Sequence, residues 1–366
     1  MKVGLLTGGG DCPGLNAVIR AVTKCAIKQY GYEVIGICDG YEGLLGNIST
    51  TPLTYDSVAG LLFRGGTILG TSNKGDPTAF KSIVNGKVIV KDCTEEFAAN
   101  CRKLGLNALI TVGGDGTQTV AWKLSRKIPD ITFIGIPKTI DNDLASTDQT
   151  FGFDTALLVA TEAVDRIQTT AESHHRVMIV ETMGRYAGWI ALSAGLAGGA
   201  DIILIPEIPF TIKGIVAAIL YRQNVQKRRF TIIVVAEGAK EAGGDLVVSK
   251  TVPDSPDPIR LGGIGEYLAQ KISDELPYHE IRVTVLGHVQ RGGTPTSFDR
   301  ILATRFGTEA VHAYARGERS IMVSLRGNEI ITVPLSEVGG KTRYVDPNGP
   351  LVRTARDTGV NFGNLE

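Results

Sequence analysis

Residues 106–143 read LNALITVGGDGTQTVAWKLSRKIPDITFIGIPKTIDND. An apolar strand at 106–112 runs into the turn GGDGT, a helical stretch carries on through Trp122, and a second strand at 131–136 closes on PKTIDND. That order predicts a βαβ unit with its two strands parallel. The N-terminus repeats the pattern. A strand at 3–6 leads into GGGDCPGLN, and a helix with Leu15, Val18, Ile19, Val22 and Ala26 at helical spacing precedes a strand at 34–37. Further strands are expected at 177–180, 202–205, 232–235 and 283–286, with helical patterns at 215–220 and 264–272 between them. Alternation of this kind predicts an α/β protein whose largely parallel sheets carry helices on both faces. Ligands then bind at the carboxyl ends of the strands, where every glycine-rich turn sits. After Arg326 no clear pattern is visible, and an irregular tail is expected.

The chain has 366 residues, 43% of them hydrophobic, with 38 Lys+Arg against 38 Asp+Glu. This is enough for two domains, or one large one, with an ordinary core, and intrinsic disorder is excluded. Zero net charge removes the electrostatic argument for bulk nucleic-acid or membrane binding. Five cysteines (Cys12, Cys25, Cys38, Cys93, Cys101) are odd in number and scattered, which fits a reducing, cytoplasmic setting. There are 45 glycines, well above the usual share of about 7%, and they cluster after apolar runs.

Three of these clusters offer backbone N–H groups to phosphate: GGGD at 8–11, GGDGT at 113–117 and RGGTILG at 64–70. None is a G-x-G-x-x-G or a Walker loop, and one alone is most simply a strand-to-helix connection. Three in one chain point to a nucleotide or polyphosphate. In PKTIDND, Asp141 and Asp143 stand two residues apart and can face a common point, one as general base and one as metal ligand or orienter. For an isolated D-N-D an Asx turn is the simpler explanation, but Lys138 and Thr139 precede it here. Asp115 suits Mg²⁺ on a nucleotide's phosphates, since hard cations take oxygen ligands. Arg176, Arg185, Arg282 and Arg291 each flank a strand, a distribution that fits a sugar phosphate held by guanidinium forks. His288 is a further donor to that phosphate, and Glu237 a plausible acceptor for sugar hydroxyls.

In order and spacing, GGGDCPGLNAVIR, RGGTILG, GGDGT, PKTIDND, MGRYAGW and VLGHVQRGGTPTSFDRILATRFG resemble the 6-phosphofructokinase family over about the first 310 residues. NAD and lipid kinases share GGDGT but lack PKTIDND, MGR and HVQRGG. The resemblance implies phosphorylation of the 1-hydroxyl of fructose 6-phosphate with ATP and Mg²⁺ or, in one branch, with pyrophosphate. By the same match Asp141 is the base, Asp143 its companion carboxylate, and Thr139, Lys138 and Arg185 lie at the transferred phosphoryl group. Gly10, Tyr41, Asn73, Lys74, Gly114, Asp115, Gly116 and Thr117 fall at the donor, with Asp115 on the metal. Arg176 and Arg282 match arginines that reach the 6-phosphate from a neighbouring subunit. His288 and Arg291 match same-subunit phosphate ligands, and Met183, Gly184, Arg185 and Glu237 match sugar contacts.

Four positions depart from the bacterial ATP enzymes or divide the two branches. Lys74 stands near where those enzymes carry a bridging Arg. Lys138 is typical of pyrophosphate users, whereas Gly116 replaces the Asp usual in them. Val120 replaces a Gly that lies near the nucleoside in many ATP enzymes. The resemblance further implies two Rossmann-like three-layer domains, 1–150 plus 290–335 for the donor and 151–289 for the sugar phosphate, with 336–366 as a C-terminal tail. It implies a homotetramer or homodimer with shared active sites. It also implies an effector site whose positions Arg20, Asp201, Arg228 and Arg229 match, while Lys24 and Gln226 do not.

Overall fold

The computed structural model describes residues 1–84, 87–251 and 259–364. Residues 252–258 of the expected second domain and 365–366 of the expected tail lie outside them. The strands are β1 (Lys2–Thr7), β2 (Glu33–Ile37), β3 (Thr50–Leu53), β4 (Phe80–Val84), β5 (Lys87–Lys91), β6 (Ala108–Gly113), β7 (Thr132–Thr139) and β8 (Phe151–Gly152). They continue with β9 (Val177–Thr182), β10 (Ile202–Leu204), β11 (Thr231–Ala236), β12 (Val248–Thr251), β13 (Ile259–Leu261), β14 (Ile281–Val285), β15 (Ile321–Arg326) and β16 (Glu329–Pro334). The helices are α1 (Leu15–Tyr30), α2 (Thr94–Lys103), α3 (Asp115–Lys127), α4 (Phe153–His174), α5 (Trp189–Ala197), α6 (Ile212–Asn224), α7 (Ile264–Glu275), α8 (Ser297–Ala315) and α9 (Pro350–Asp357).

Two sheets organise the chain. The first runs β16-β15-β7-β6-β1-β2-β3, with β8 joined to the end of β7. Its interior pairs are parallel, and β16 and β3 are antiparallel edges. The second, β10-β11-β9-β14, is parallel throughout. Strands covered on both faces must be apolar along their whole length. Accordingly β6, β9 and β11 are buried at every residue. Registers such as Val3↔Ala108 and Ala108↔Thr132 bring the turns after β1, β6 and β7 to one edge. Gln118 of α3 fastens that edge: its buried amide donates to the carbonyls of Thr111, Gly113 and Ile136 at 3.0–3.2 Å.

Helix α8 lies against α1, closely enough that a methyl on Gly307 would stand 2.8 Å from the Ala21 Cβ. Asp299 of α8 is fully buried and accepts from Gly152 N (2.9 Å), Thr155 N (2.8 Å) and Thr155 Oγ1 (2.5 Å). It thereby caps α4, whose own N-cap residue Gly152 offers no side chain. All five cysteines are free thiols. Among the described residues no helix is long and apolar enough to cross a membrane.

The expected strands are present within a residue or two, except that β7 runs on through Pro137, Lys138 and Thr139. The stretch after Arg326 corrects the sequence reading. It forms β16, an edge strand against β15, and the helix α9, while an isolated bridge pairs Leu144 with Thr342. Its apolar residues are spread too thinly for a periodic pattern, because each anchors on an element already built.

The buried Asp299 cap generates a stability prediction. Asp299→Ala strands three buried donors, each worth about 1–3 kcal/mol when left unpaired. Denaturant unfolding should show a loss of at least about 2 kcal/mol, with Asp299→Asn in between.

Candidate active site

The residues that gather around Asp141 leave the carboxyl ends of parallel strands. The GGGD turn follows β1, GGDGT follows β6 and opens α3, and the Asp141–Asp143 loop follows β7. On the second sheet Met183–Arg185 follow β9, Glu237 follows β11, and a 3-10 turn with His288 and Arg291 follows β14. The two edges meet where Arg291 Nη1 donates to Asp11 O at 3.2 Å, and within the second edge the buried Gln290 Oε1 accepts from Met183 N at 2.8 Å.

Glycine permits these approaches. A Cβ on Gly10 would lie 2.7 Å from Arg291 Nη1, and one on Gly238 only 1.9 Å from Arg185 O. Lys138, 3% exposed, points its ammonium beneath the first turn and donates to Gly10 O. Burial pushes its pKa down. Gly114 is the N-cap of α3, and a side chain on Gly116 would meet nothing within 4 Å. The third turn is pinned to the first: Thr71 Oγ1 donates to Gly9 O (2.6 Å), and Gly9 N to Ser72 O (2.9 Å). Asn73 and Lys74 lie exposed at its rim.

Asp141 is the electrostatic centre. Its Oδ1 is buried without a hydrogen-bond partner, while its N–H is held by Thr139 Oγ1 at 3.1 Å. Desolvation raises its pKa against the pull of Arg291, Lys138 and Arg185. Asp143 is raised to about 7, first by burial and then by the charge of Asp141. Glu237 is likewise raised to about 7 by burial, with Asp141 and Glu181 adding. Asp115 contributes to the rise at Asp143, so three carboxylates share one field. Their oxygens and the orphaned Oδ1 fit a hard cation, although no three metal-ligating side chains converge into a cage among the described residues. Such a set suits Mg²⁺, which takes one or two carboxylates together with ligand phosphate oxygens.

Tyr41, matched to the donor, is a core residue in this structure. It is 4% exposed, its ring packs on Phe97, and its hydroxyl donates to Thr117 O at 2.9 Å, so it braces the GGDGT turn from below. Asp115 is not wholly free: Oδ1 accepts from Thr119 Oγ1 (3.2 Å) and from Gly340 N (2.8 Å) of the supposed tail. Arg176 and Arg282 do not join the cluster within one chain. They lie at the amino ends of β9 and β14, both paired with Glu280, at 2.8 and 2.5 Å. Of the effector positions, Asp201 pairs with Arg222 at 2.8 Å beside a cavity of about 520 Å³ that Tyr221, Arg356 and Phe362 also line.

Sequence reading missed Gln290, Gly238 and Arg343, which organise the loops from behind. The QRGG motif held a signal for the first. For the other two, only the fold brings the partners together.

Two parallel sheets, one with glycine-rich turns and a buried carboxylate together on its carboxyl edge and the other bringing Arg185 and Arg291 towards it, define a phosphotransferase-type site. The phosphofructokinase family profile matches residues 2–314. The chain is 54% identical over 364 residues to the ATP-dependent 6-phosphofructokinase 2 of Clostridium perfringens, covering 99% of this chain and 98% of that one. It is 48% identical over 363 residues to the pyrophosphate–fructose 6-phosphate 1-phosphotransferase of Streptomyces coelicolor, covering 99% and 100%. The phosphofructokinase structure from Saccharomyces cerevisiae superposes with a TM-score of 0.76 at 33% identity, over 92% of this chain and 45% of that longer one. The chain belongs to the phosphofructokinase family.

The raised carboxyls set a pH dependence. Glu237, near 4.5 when unfolded and about 7 when folded, favours folding while protonated; that contribution is full below pH 4.5 and lost as pH rises through 7. The ligand-free Tm should therefore fall between pH 5 and pH 8, and Glu237→Gln should shrink that fall.

Proposed function

We infer that this protein is a 6-phosphofructokinase that transfers a phosphoryl group from ATP to the 1-hydroxyl of fructose 6-phosphate, giving fructose 1,6-bisphosphate and ADP. One observation carries the reading: the unpartnered buried Oδ1 of Asp141, in the field of Lys138, Arg185 and Arg291. Asp141 accepts the hydroxyl proton as the oxygen attacks the terminal phosphorus and the bond to the leaving phosphate oxygen breaks. Lys138, Arg185 and the backbone N–H groups after β1 and β6 neutralise charge on the transferred group, and Thr139 positions it. Asp115 is the residue to hold Mg²⁺, which when bound with the donor's phosphates supplies further neutralisation. Glu237, Met183 and Gly184 hold the sugar, and His288 and Arg291 its phosphate.

Arg176 and Arg282 stand about a strand's length from Arg291, near 16–20 Å for five or six residues, too far to share one phosphate. A symmetric homo-oligomer, a dimer or tetramer, brings one chain's amino-end arginines to its neighbour's carboxyl-end site. Residues 1–150 with 290–335 make the donor domain, and 151–289 the sugar-phosphate domain. A cytoplasmic glycolytic role follows from this reaction. Allosteric control through the Asp201 region is part of the same reading.

Pyrophosphate is the alternative donor, favoured by Lys138 under the first turn. The open space at Gly116 favours ATP, because an α-phosphate meets no side chain there. The deciding assay offers the purified protein fructose 6-phosphate and Mg²⁺ with ATP or with pyrophosphate. Pyrophosphate turnover at least about ten times more efficient than ATP turnover (about 1.4 kcal/mol) overturns the assignment.

Two substitutions test the roles. Asp141→Asn should lower kcat by about 10²–10⁴-fold with little change in KM, and survival within a few-fold removes Asp141 as the base. Gly116→Asp should depress ATP turnover through like-charge repulsion while sparing pyrophosphate use. An unchanged ATP rate would mean that the nucleotide does not lie against this turn.

A further inference from the structure

The D-N-D loop is strained at its centre. Asn142 is 5% exposed and has φ 53°, a left-handed conformation that costs a non-glycine residue free energy, though asparagine least, and that persists where the surroundings enforce it. Part of the enforcement is local, since Asn142 Oδ1 accepts from Thr150 N at 3.0 Å. The rest comes from two hundred positions away in sequence. Arg343 Nε and Nη2 both donate to Asn142 O, at 3.1 and 2.8 Å, and Nη1 donates to Asp148 O at 2.7 Å. The Arg343 N–H donates to Asp143 O at 2.7 Å. One residue thus grips the peptide groups of Asn142 and Asp143 and the far end of the loop.

The same residue holds the second sheet. Its guanidinium lies 4.6 Å from the Trp189 ring centroid, and its carbonyl accepts from Trp189 Nε1 at 2.9 Å. Trp189 opens α5, directly after the MGR turn. Two residues on, Val345 N donates to Glu207 Oε1 (2.8 Å), whose carboxylate also accepts from Gly188 N (3.1 Å). Residues 342–345 therefore form a strap between the loop carrying Asp141 and the turn carrying Arg185.

We propose that Arg343 is a positioning residue for phosphoryl transfer: its fork fixes the Asn142 peptide, and with it the aim of Asp141 relative to Arg185, without touching either substrate. This rests on the functional reading above. Only a planar fork can serve Asn142 O and Asp148 O at once, whereas a lysine ammonium supplies charge without that geometry. Misplacement by about 1 Å can cost about 10²-fold in rate.

The test uses full-length Arg343→Lys and Arg343→Ala. Both should lose about 10–100-fold in kcat, with KM for fructose 6-phosphate and for the donor within about threefold of wild type. Added guanidinium at millimolar concentration should partly restore Arg343→Ala and not Arg343→Lys. Hydrogen exchange of the 139–150 segment should quicken in both variants, while β9 keeps wild-type protection. If Arg343→Ala fails to fold, Arg343→Lys carries the same comparison. The proposal is overturned if Arg343→Lys keeps wild-type kcat, if KM rises while kcat holds, or if exchange at 139–150 is unchanged. Wild type inactive with both donors would instead remove the functional reading, and the exchange measurement still decides whether Arg343 fixes the loop.

Discussion

Everything at this site depends on keeping a carboxylate buried and unpaired at the carboxyl end of β7. An isolated buried charge is expensive, and a second one two residues away makes it more so. The protein offsets the cost with positive charge placed close but not bonded: Lys138, Arg185 and Arg291 all lower the pKa of Asp141 without donating to its orphaned oxygen. A direct ion pair would occupy that oxygen. Lys138 is instead tied to Gly10 O and Arg291 to Asp11 O, so their charge acts through space on an oxygen that, on the proposed reading, takes a substrate proton.

That arrangement gives some of the glycines a role beyond turn geometry. The cations reach Asp141 only because loops from both sheets stack backbone against backbone. Gly10 lets Arg291 lie across the first turn, Gly238 lets the MGR turn sit on the end of β11, and Gly65 lets the third turn touch Gly293 O. At each place a Cβ would come within 2.7 Å of an atom already there. Alanine would push two loops apart, and the charges with them.

Much of this was legible in the sequence because parallel strands and phosphate-binding turns are local features. The apolar runs of β1, β6 and β7, and the polar residues just after them, are contiguous in the chain. What stayed hidden is what acts at a distance. Arg343 sits in an aperiodic stretch, and nothing near it signals that its partners are Asn142, Asp148 and Trp189. Tyr41 was placed only by the family match, and its own surroundings were equally hidden: its ring is turned into the core with Phe97, and its hydroxyl reaches the GGDGT turn.

The charge count of the cleft bears on what must complete it. Four carboxylates, Asp115, Asp141, Asp143 and Glu237, face three cations, Lys138, Arg185 and Arg291. Burial raises the pKa of Asp141 and lifts those of Asp143 and Glu237 to about 7, so the carboxylates are eased rather than fully paired. Two phosphorylated substrates would tip the cleft strongly negative. On the proposed reading, the missing positive charge has two sources suited to different ends of the cleft. Mg²⁺ at Asp115 serves the donor, where a hard cation can share phosphate oxygens. Arg176 and Arg282, both held by Glu280, would serve the sugar phosphate of a neighbouring subunit. On that reading the site takes up its substrates together with the charges that complete it.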